Sequence, residues 1–307
     1  MSAPQTPSQR AHLVGKAQAK FDAIRVDYPP QTSAMAILDE VRIAGLYRDP
    51  DVPCGGAMIV APTGAGKTET IKGLRRVLSA NAAEGEIPLL HVEIDKAGTT
   101  DSVPTSILKA LGAARPEAGS EKTRWPRAID EIVARRVELI VFDEFDLAAK
   151  RPTMSGPIAT GIRQQIMDAA IAPVVFVGSE DADTVFSQVP ALRERLDDSA
   201  DLSPMRWNMP GDQDLFLKFV SNLDRAMVDA DLVKCETGFA SPAFAHPLWQ
   251  ASGGRLRPIC KIARHAMSSV IREGRDYIDG NDLALAVDTL PIDEKSCSRN
   301  PFLTGEG

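Results

Sequence analysis

Residues 61–68 read APTGAGKT, and no other stretch of this 307-residue chain restricts its fold as strongly. The apolar run Met58-Ile59-Val60 precedes it, and a helical pattern over residues 69–78 follows. A Gly-rich loop between strand and helix turns its N–H groups inward around phosphate oxygens. A Lys at its end reaches the β- and γ-phosphates, and a Ser or Thr hydroxyl supports a magnesium ion, all at the positive end of the helix. Thr63, Gly64, Ala65, Gly66, Lys67 and Thr68 supply these parts, so they form the expected ATP-phosphate site, with Thr68 also facing Mg2+. The motif usually opens with Gly where this chain has Ala61. A methyl group is tolerated there provided φ is negative.

The rest of the chain supplies the sheet that such a loop needs. Apolar, β-rich runs at 57–60, 89–94, 139–142 and 174–177 alternate with longer helical patterns, the signature of a parallel sheet with helices on both faces. The third run ends in two acids, LIVFDEFD (139–146). Asp143 is placed to support magnesium, and Glu144 to position water for attack on the γ-phosphate. The fourth run, PVVFVGSED, ends in Ser179, whose hydroxyl is expected beside Glu144. Beyond Pro210 the signals are helical, at 212–228 and 254–273, with Ser241-Pro242 as a cap and first-turn pair. The expected organisation is a flexible polar tail at 1–20, an α/β core with its lead-in at 21–210, a helical lid domain at 211–290 and a second tail at 291–307.

Composition narrows the setting. Hydrophobic residues make up 44% of the chain, enough to bury a substantial core. No apolar run approaches the roughly 20 residues that cross a bilayer, and the N-terminus lacks a secretory apolar centre, so the expectation is a cytoplasmic protein without a membrane partner. Cys54, Cys235, Cys260 and Cys297 have no metal-ligand spacing and are expected as reduced thiols. A net charge of −7 neither implies nor excludes nucleic acid.

From about residue 24 to 286 the order of these motifs resembles the AAA+ ATPases. The phosphate loop, the acid-ended strand and the strand ended by Ser179 are followed by ALRERL (191–196) and by SGGRLRP (252–258) at the start of a helix. The resemblance implies an α/β AAA+ P-loop NTPase core with a small helical lid, hydrolysing ATP. It also implies that Arg195, with Arg193 as the alternate, reaches a neighbouring subunit's γ-phosphate. Arg257, with Arg255 as the alternate, would touch the phosphates of its own subunit. Within AAA+, IRVDYPPQTSAMAILDEV, ARRVELIVFDEFDLA and IRQQIMDAAIAPVVFVGSEDA are similar to the TniB/TnsC group of transposition regulators, relatives of the MuB type. That resemblance implies a homo-oligomer, ring or helical filament, that assembles on double-stranded DNA in the ATP state and recruits or activates a transposase, with a targeting protein as a further candidate partner.

Lys96, Thr99, Lys122 and Arg124 are the expected DNA contacts. The first two follow the second strand, and Lys122, Thr123, Arg124 and Arg127 are expected to form a loop with Trp125. Short hydroxyl and basic side chains contact phosphates without reading sequence. The competing class is an AAA+ ATPase or nucleotide switch acting on a protein partner without DNA, which Trp125 would suit as a pore-loop aromatic.

Overall fold

In the computed structural model, which describes residues 6–94, 99–146, 152–290 and 296–303, five short strands form one parallel sheet. They are β1 (Gly56–Val60), β2 (Leu89–Glu93), β3 (Leu139–Asp143), β4 (Val174–Gly178) and β5 (Leu196–Ser199), side by side in the order β2-β3-β4-β1-β5. Every residue of β3 and β4 is buried, as expected of central parallel strands covered on both faces. The chain divides into two compact units, Pro29–Ser203 and, together, Met1–Tyr28 with Pro204–Gly307.

In the first unit, one sheet face packs on α2 (Pro29–Tyr47) and α3 (Lys67–Ser79) through Leu38, Ile71 and Leu74 against Ile59, Leu89, Val141 and Val177. The other face packs on α4 (Ser102–Ala110), α5 (Glu121–Ala134), α6 (Pro152–Ile162) and α7 (Ala182–Gln188) through Leu90, Val92, Ile140, Phe142 and Phe176. The alternation follows from the strand period of two: consecutive side chains point to opposite faces. Phe142, Phe145, Phe176 and Phe186 form one aromatic cluster beneath the acid-ended strand, with Phe145 and Phe176 4.5 Å apart between ring centroids. Truncating one of these fully buried rings is expected to cost about 3–5 kcal/mol, and the cluster fixes the backbone on which Asp143 and Glu144 sit. α6 runs into a π-helical turn, Arg163–Met167, and a short α8 (Pro190–Arg193) leads into β5.

The fifth strand is absent from the sequence expectation for a physical reason. LDDS is short, polar and at the sheet edge, where a strand needs no apolar run, and its pairing to β1 is irregular between Gly56 and Ala57.

The second unit is helical, built from α1 (Pro7–Ala23), α9 (Pro210–Asp229), α10 (Ala245–Ser252), α11 (Leu256–Glu273) and α12 (Gly280–Thr289). The expected tail at 1–20 is corrected here: from Pro7 it is helix. Thr6 and Gln9 form a capping box, Pro7 opens the first turn, and Val14, Ala17 and Phe21 bury one face. Gln18 Nε2 donates to Ser268 Oγ at 3.1 Å, and Arg264 makes two bonds to the Asp22 carboxylate at 2.8 and 3.0 Å, so α1 is fastened to α11. The described part of the second expected tail also packs: Asn300 Nδ2 donates to Ala284 O at 2.7 Å, and Phe302 lies against Phe244. Ser241-Pro242 forms the turn before α10, whose N-cap is Phe244. α11 begins two residues beyond Gly254, which has φ +68° and lies so close to Met205 O that a Cβ would fall 2.0 Å from it. Only glycine fits there.

No helix among the described residues is long and apolar enough to cross a membrane. All four cysteines are free thiols.

Candidate nucleotide site

The loop between β1 and α3 has the backbone that phosphate binding requires. Gly64 and Gly66 adopt φ of +88° and +103°, values only glycine takes without strain. Ala61, buried beneath the loop, is not among the non-glycine residues with positive φ, so its methyl group is accommodated. Its N–H donates to Gly178 O at 3.2 Å, extending the β1–β4 pairing by one residue and bringing the loop beside the end of β4. From α2, Gln31 Nε2 donates to Gly66 O at 3.1 Å, a tie between lead-in helix and loop that the sequence reading missed.

Lys67 Nζ donates to Ala61 O and, at 3.1 Å, to Pro62 O. Burial pulls its pKa below the usual lysine value, against opposing contributions from Asp143, Asp146 and Glu144 in that order. A half-buried ammonium held on loop carbonyls is a site that an anionic phosphate satisfies better, because charge-assisted bonds are the stronger ones.

Asp143, 4% exposed, ends β3 one strand away from β4. Its Oδ2 accepts from Thr68 Oγ1 at 3.2 Å and lies 3.1 Å from His91 Nε2, while its Oδ1 accepts from Glu144 N at 2.9 Å. Burial is the largest influence on this carboxyl and pushes its pKa up. The hydrogen bonds from His91, Glu144 and Thr68 more than offset it, so the group lies below the usual carboxylate range and stays ionised. Thr68 and Asp143 thus bring together a hydroxyl and a carboxylate, the hard oxygen donors that magnesium takes alongside water and phosphate oxygens. The donor set fits.

Glu144 follows in a left-handed conformation, φ +58°, with its side chain exposed. A non-glycine residue there stores of order 1 kcal/mol. It is held by buried Asp143 before it and Phe145 after it, whose N–H donates to Val177 O at 2.9 Å. Ser179, just past β4, is anchored by its backbone: its N–H donates to Asp146 Oδ1 at 3.1 Å. Asp146 was not singled out in the sequence, although it both fixes Ser179 and acts on Lys67.

Arg195 lies at the other end of the sheet. Its carbonyl accepts from Gly56 N at 2.8 Å, at the start of β1, whereas the phosphate loop follows the end of that strand. At about 3.3 Å per residue the length of β1 separates them by roughly 15 Å, so Arg195 is not a ligand of its own chain's loop. Its guanidinium donates to Asp168 Oδ1 at 3.2 Å, and Arg163 occupies the other oxygen at 2.6 Å. Arg193 is exposed and contacts Met58 Sδ at 3.2 Å. In the helical unit, Arg257 is exposed on the first turn of α11, while Arg255 is tied to Ser296 Oγ at 2.9 Å and Ser252 O at 3.1 Å.

The expected DNA contacts fare unequally. Lys96 lies outside the described residues. Thr99 is half-buried before α4 and accepts the Ser102 N–H at 3.0 Å. Residues 122–127 are not a loop but the first turns of α5, with Pro126 inside the helix. Lys122 is exposed there. Arg124 is buried, donating to Asp101 Oδ2 at 2.9 Å and to Thr105 Oγ1, which corrects its assignment as a DNA contact. Trp125 is likewise buried in the core and is no pore-loop aromatic.

Residues 52–186 match the model of a family described as AAA domain. Among solved structures, the Aeropyrum pernix ORC2 protein (ADPNP-ADP complexes) superposes with a TM-score of 0.64 at 14% identity, covering 88% of this chain and 71% of that one. The Aeropyrum pernix ORC1 protein in complex with DNA superposes with a TM-score of 0.60 at 18% identity, covering 88% and 70%. Drosophila ORC bound to DNA gives 0.51 at 16% identity, covering 94% and 68%. No curated protein matches the chain in sequence. With the phosphate loop on β1, the acid-ended β3 beyond β4, and a helical C-terminal region, the chain has the AAA+ P-loop fold, and residues 52–186 are similar to the AAA domain family.

Proposed function

We propose that this chain is a magnesium-dependent ATPase that oligomerises on double-stranded DNA without strong sequence preference, and that its specific role is the regulation of DNA transposition. The observation that carries the ATPase reading is the 3.2 Å contact of Thr68 Oγ1 with Asp143 Oδ2, which joins the phosphate loop to the acid-ended strand beside an exposed Glu144. Magnesium, when bound, would neutralise charge on the transferred phosphoryl group. Thr68 and Asp143 would hold it, Lys67 would leave the Ala61 and Pro62 carbonyls for the β- and γ-phosphates, and Glu144 would orient the attacking water. Ser179 marks the polar end of β4 on the same side. Arg195, too far from its own loop, suits a role on a neighbouring copy's γ-phosphate, and Arg257 a role on its own nucleotide.

The DNA part rests on the two fold relatives described as bound to DNA. With Arg124 spent inside the core, contact falls to Lys122, Thr99 and Lys96, few enough per chain that tight binding would require many subunits together. The transposition role, with a transposase as partner, rests on the likeness of three sequence stretches to the TniB/TnsC group. The test is ATP turnover with and without duplex DNA of random sequence, paired with DNA binding in the presence of a non-hydrolysable ATP analogue or of ADP. Turnover stimulated by DNA and binding only with the ATP analogue are expected. Turnover indifferent to DNA, together with DNA binding that is absent or equal with the ATP analogue and with ADP, would overturn the DNA mechanism, and no turnover under any condition would overturn the ATPase.

A further inference from the structure

We infer that His91 is a positioning residue for the magnesium-binding carboxylate, its ring N–H holding Asp143 Oδ2 in place through a buried hydrogen bond. The inference rests on the nucleotide reading above and concerns a residue that reading does not use. His91 lies on β2 beside β3, and its Nε2 is 3.1 Å from Asp143 Oδ2, with the two side chains 8% and 5% exposed. On this face of the sheet the neighbouring strand positions are Leu89, Leu139 and Val141, all buried apolar residues of one cluster. An imidazole among them loses hydration that a Leu or Val would not, and it persists where a specific bond repays that loss.

The direction of the bond follows from the partner. Asp143 is ionised and can only accept, so Nε2 carries the proton. The same oxygen also accepts from Thr68 Oγ1, and the other oxygen from Glu144 N. Of these three donors, the Thr68 hydroxyl is the one whose oxygen is wanted by the cation. When that hydroxyl reorients, His91 is the fixed donor that Oδ2 keeps among the described residues. Without it, a single backbone N–H at Oδ1 is the anchor left to the carboxylate among the described residues, and the group can rotate about its side-chain bonds. His91 therefore acts through Asp143. Partners of this kind, one bond removed from a metal, commonly account for about 10–100-fold in metal affinity.

The test is a Mg2+ titration of the binding of a fluorescent, non-hydrolysable ATP analogue, compared with its binding in EDTA, for the parent chain, His91→Phe and His91→Gln. In His91→Phe the Mg2+ midpoint should rise by about 10–100-fold, while affinity in EDTA stays at the parent value because the phosphate loop is untouched. His91→Gln, whose amide N–H can reach the same oxygen, should return the midpoint most of the way. If His91→Phe fails to fold, His91→Asn, whose amide stops short of Asp143, replaces it in the same titration. An unshifted midpoint, an equal loss in His91→Gln, or a matching loss in EDTA would each overturn the positioning role. A parent titration that is flat in Mg2+ would instead overturn the magnesium reading on which it rests, visible before any substitution is made.

Discussion

Asp143 in the α/β unit and Asp224 in the helical unit are both almost completely buried, 4% and 1% exposed, yet they are held in opposite ways. Asp224 accepts the backbone N–H groups of Thr237, Gly238 and Phe239 at 2.9, 2.7 and 3.1 Å, three donors from one loop that cannot move without unfolding it. Asp143 is held mainly by side chains, Thr68 and His91, with one backbone N–H. Backbone donors fasten; side-chain donors can be exchanged for a ligand. Burial of a charge is therefore no mark of function, and the mobility of its partners is what separates the two.

The largest test of that contrast removes the charge proposed to orient the attacking water, without touching the fold. Glu144→Gln, at an exposed position, should lower turnover by about 10³-fold, within the range for a positioned base and equal to about 4 kcal/mol of barrier. Nucleotide binding and melting temperature should remain those of the parent. Lys67→Ala should abolish nucleotide binding, because the ammonium offered to the phosphates is gone. Phosphate release and a nucleotide titration decide both, and Glu144→Gln turning over at the parent rate would place catalysis elsewhere.

Arginines repeat the comparison. Arg275 is clasped by Asp282 and by Glu273, and these pairs hold its pKa above the usual arginine value. Arg195 shares Asp168 with Arg163 through one 3.2 Å bond and remains about one-third exposed. An arginine held this loosely can be given up to a partner. Arg195→Ala should leave ATP binding unchanged and reduce turnover by roughly 10³, the lower end for an arginine acting on a developing phosphate charge from another subunit. Mixing it with Lys67→Ala protein should restore part of the activity, since a mixed interface can join an intact loop to an intact Arg195. Mixed assemblies that recover nothing would sink the shared site.

Next in size is the fastening acid itself. Asp224→Ala leaves three N–H groups without their acceptor and should cost about 3 kcal/mol or more in urea unfolding. Turnover per folded molecule should not change. A loss of turnover without loss of stability would reverse the roles assigned to the two aspartates.

What the sequence showed, and what it hid, divides along similar lines. The phosphate loop was legible because Gly64 and Gly66 are backbone requirements no other residue meets. β3 and β4 were legible because central parallel strands are apolar throughout. β5 was hidden because an edge strand can be polar, and α1 because only Val14, Ala17 and Phe21 of its residues are buried. α5 was misread from its charges and Pro126: EKTRWPR resembles a basic loop until Arg124 and Trp125 are seen to turn inward. His91 and Asp146 carried no local signal, because their partners Asp143 and Ser179 come from other parts of the chain. Pairings across a sheet are set by topology, which a single sequence does not display.

The smallest effect concerns the acid of the helical unit that most resembles a site residue. Asp282, 5% exposed, accepts from Arg275 and from the Asp279 N–H at 2.9 Å, completing the capping box of α12. Burial is the largest influence on it and acts to raise its pKa. The bonds from Arg275 and Asp279 together outweigh burial and hold it below the usual aspartate value. A carboxyl whose folded pKa is depressed adds stability that is fully present above the unfolded value of about 3.9. That stability is lost as pH falls through the lower folded value. Asp282→Asn should therefore cost about 1.5 kcal/mol at neutral pH, the scale of a hydrogen bond to a charged group, and the deficit relative to the parent should shrink as pH drops below about 4. Unfolding measured across pH reads this directly, and nucleotide binding should be unaffected. A deficit that stays constant down to acid pH would mean that shape rather than charge is what Asp282 contributes, and would weaken the argument that this unit uses its buried carboxylates as fasteners.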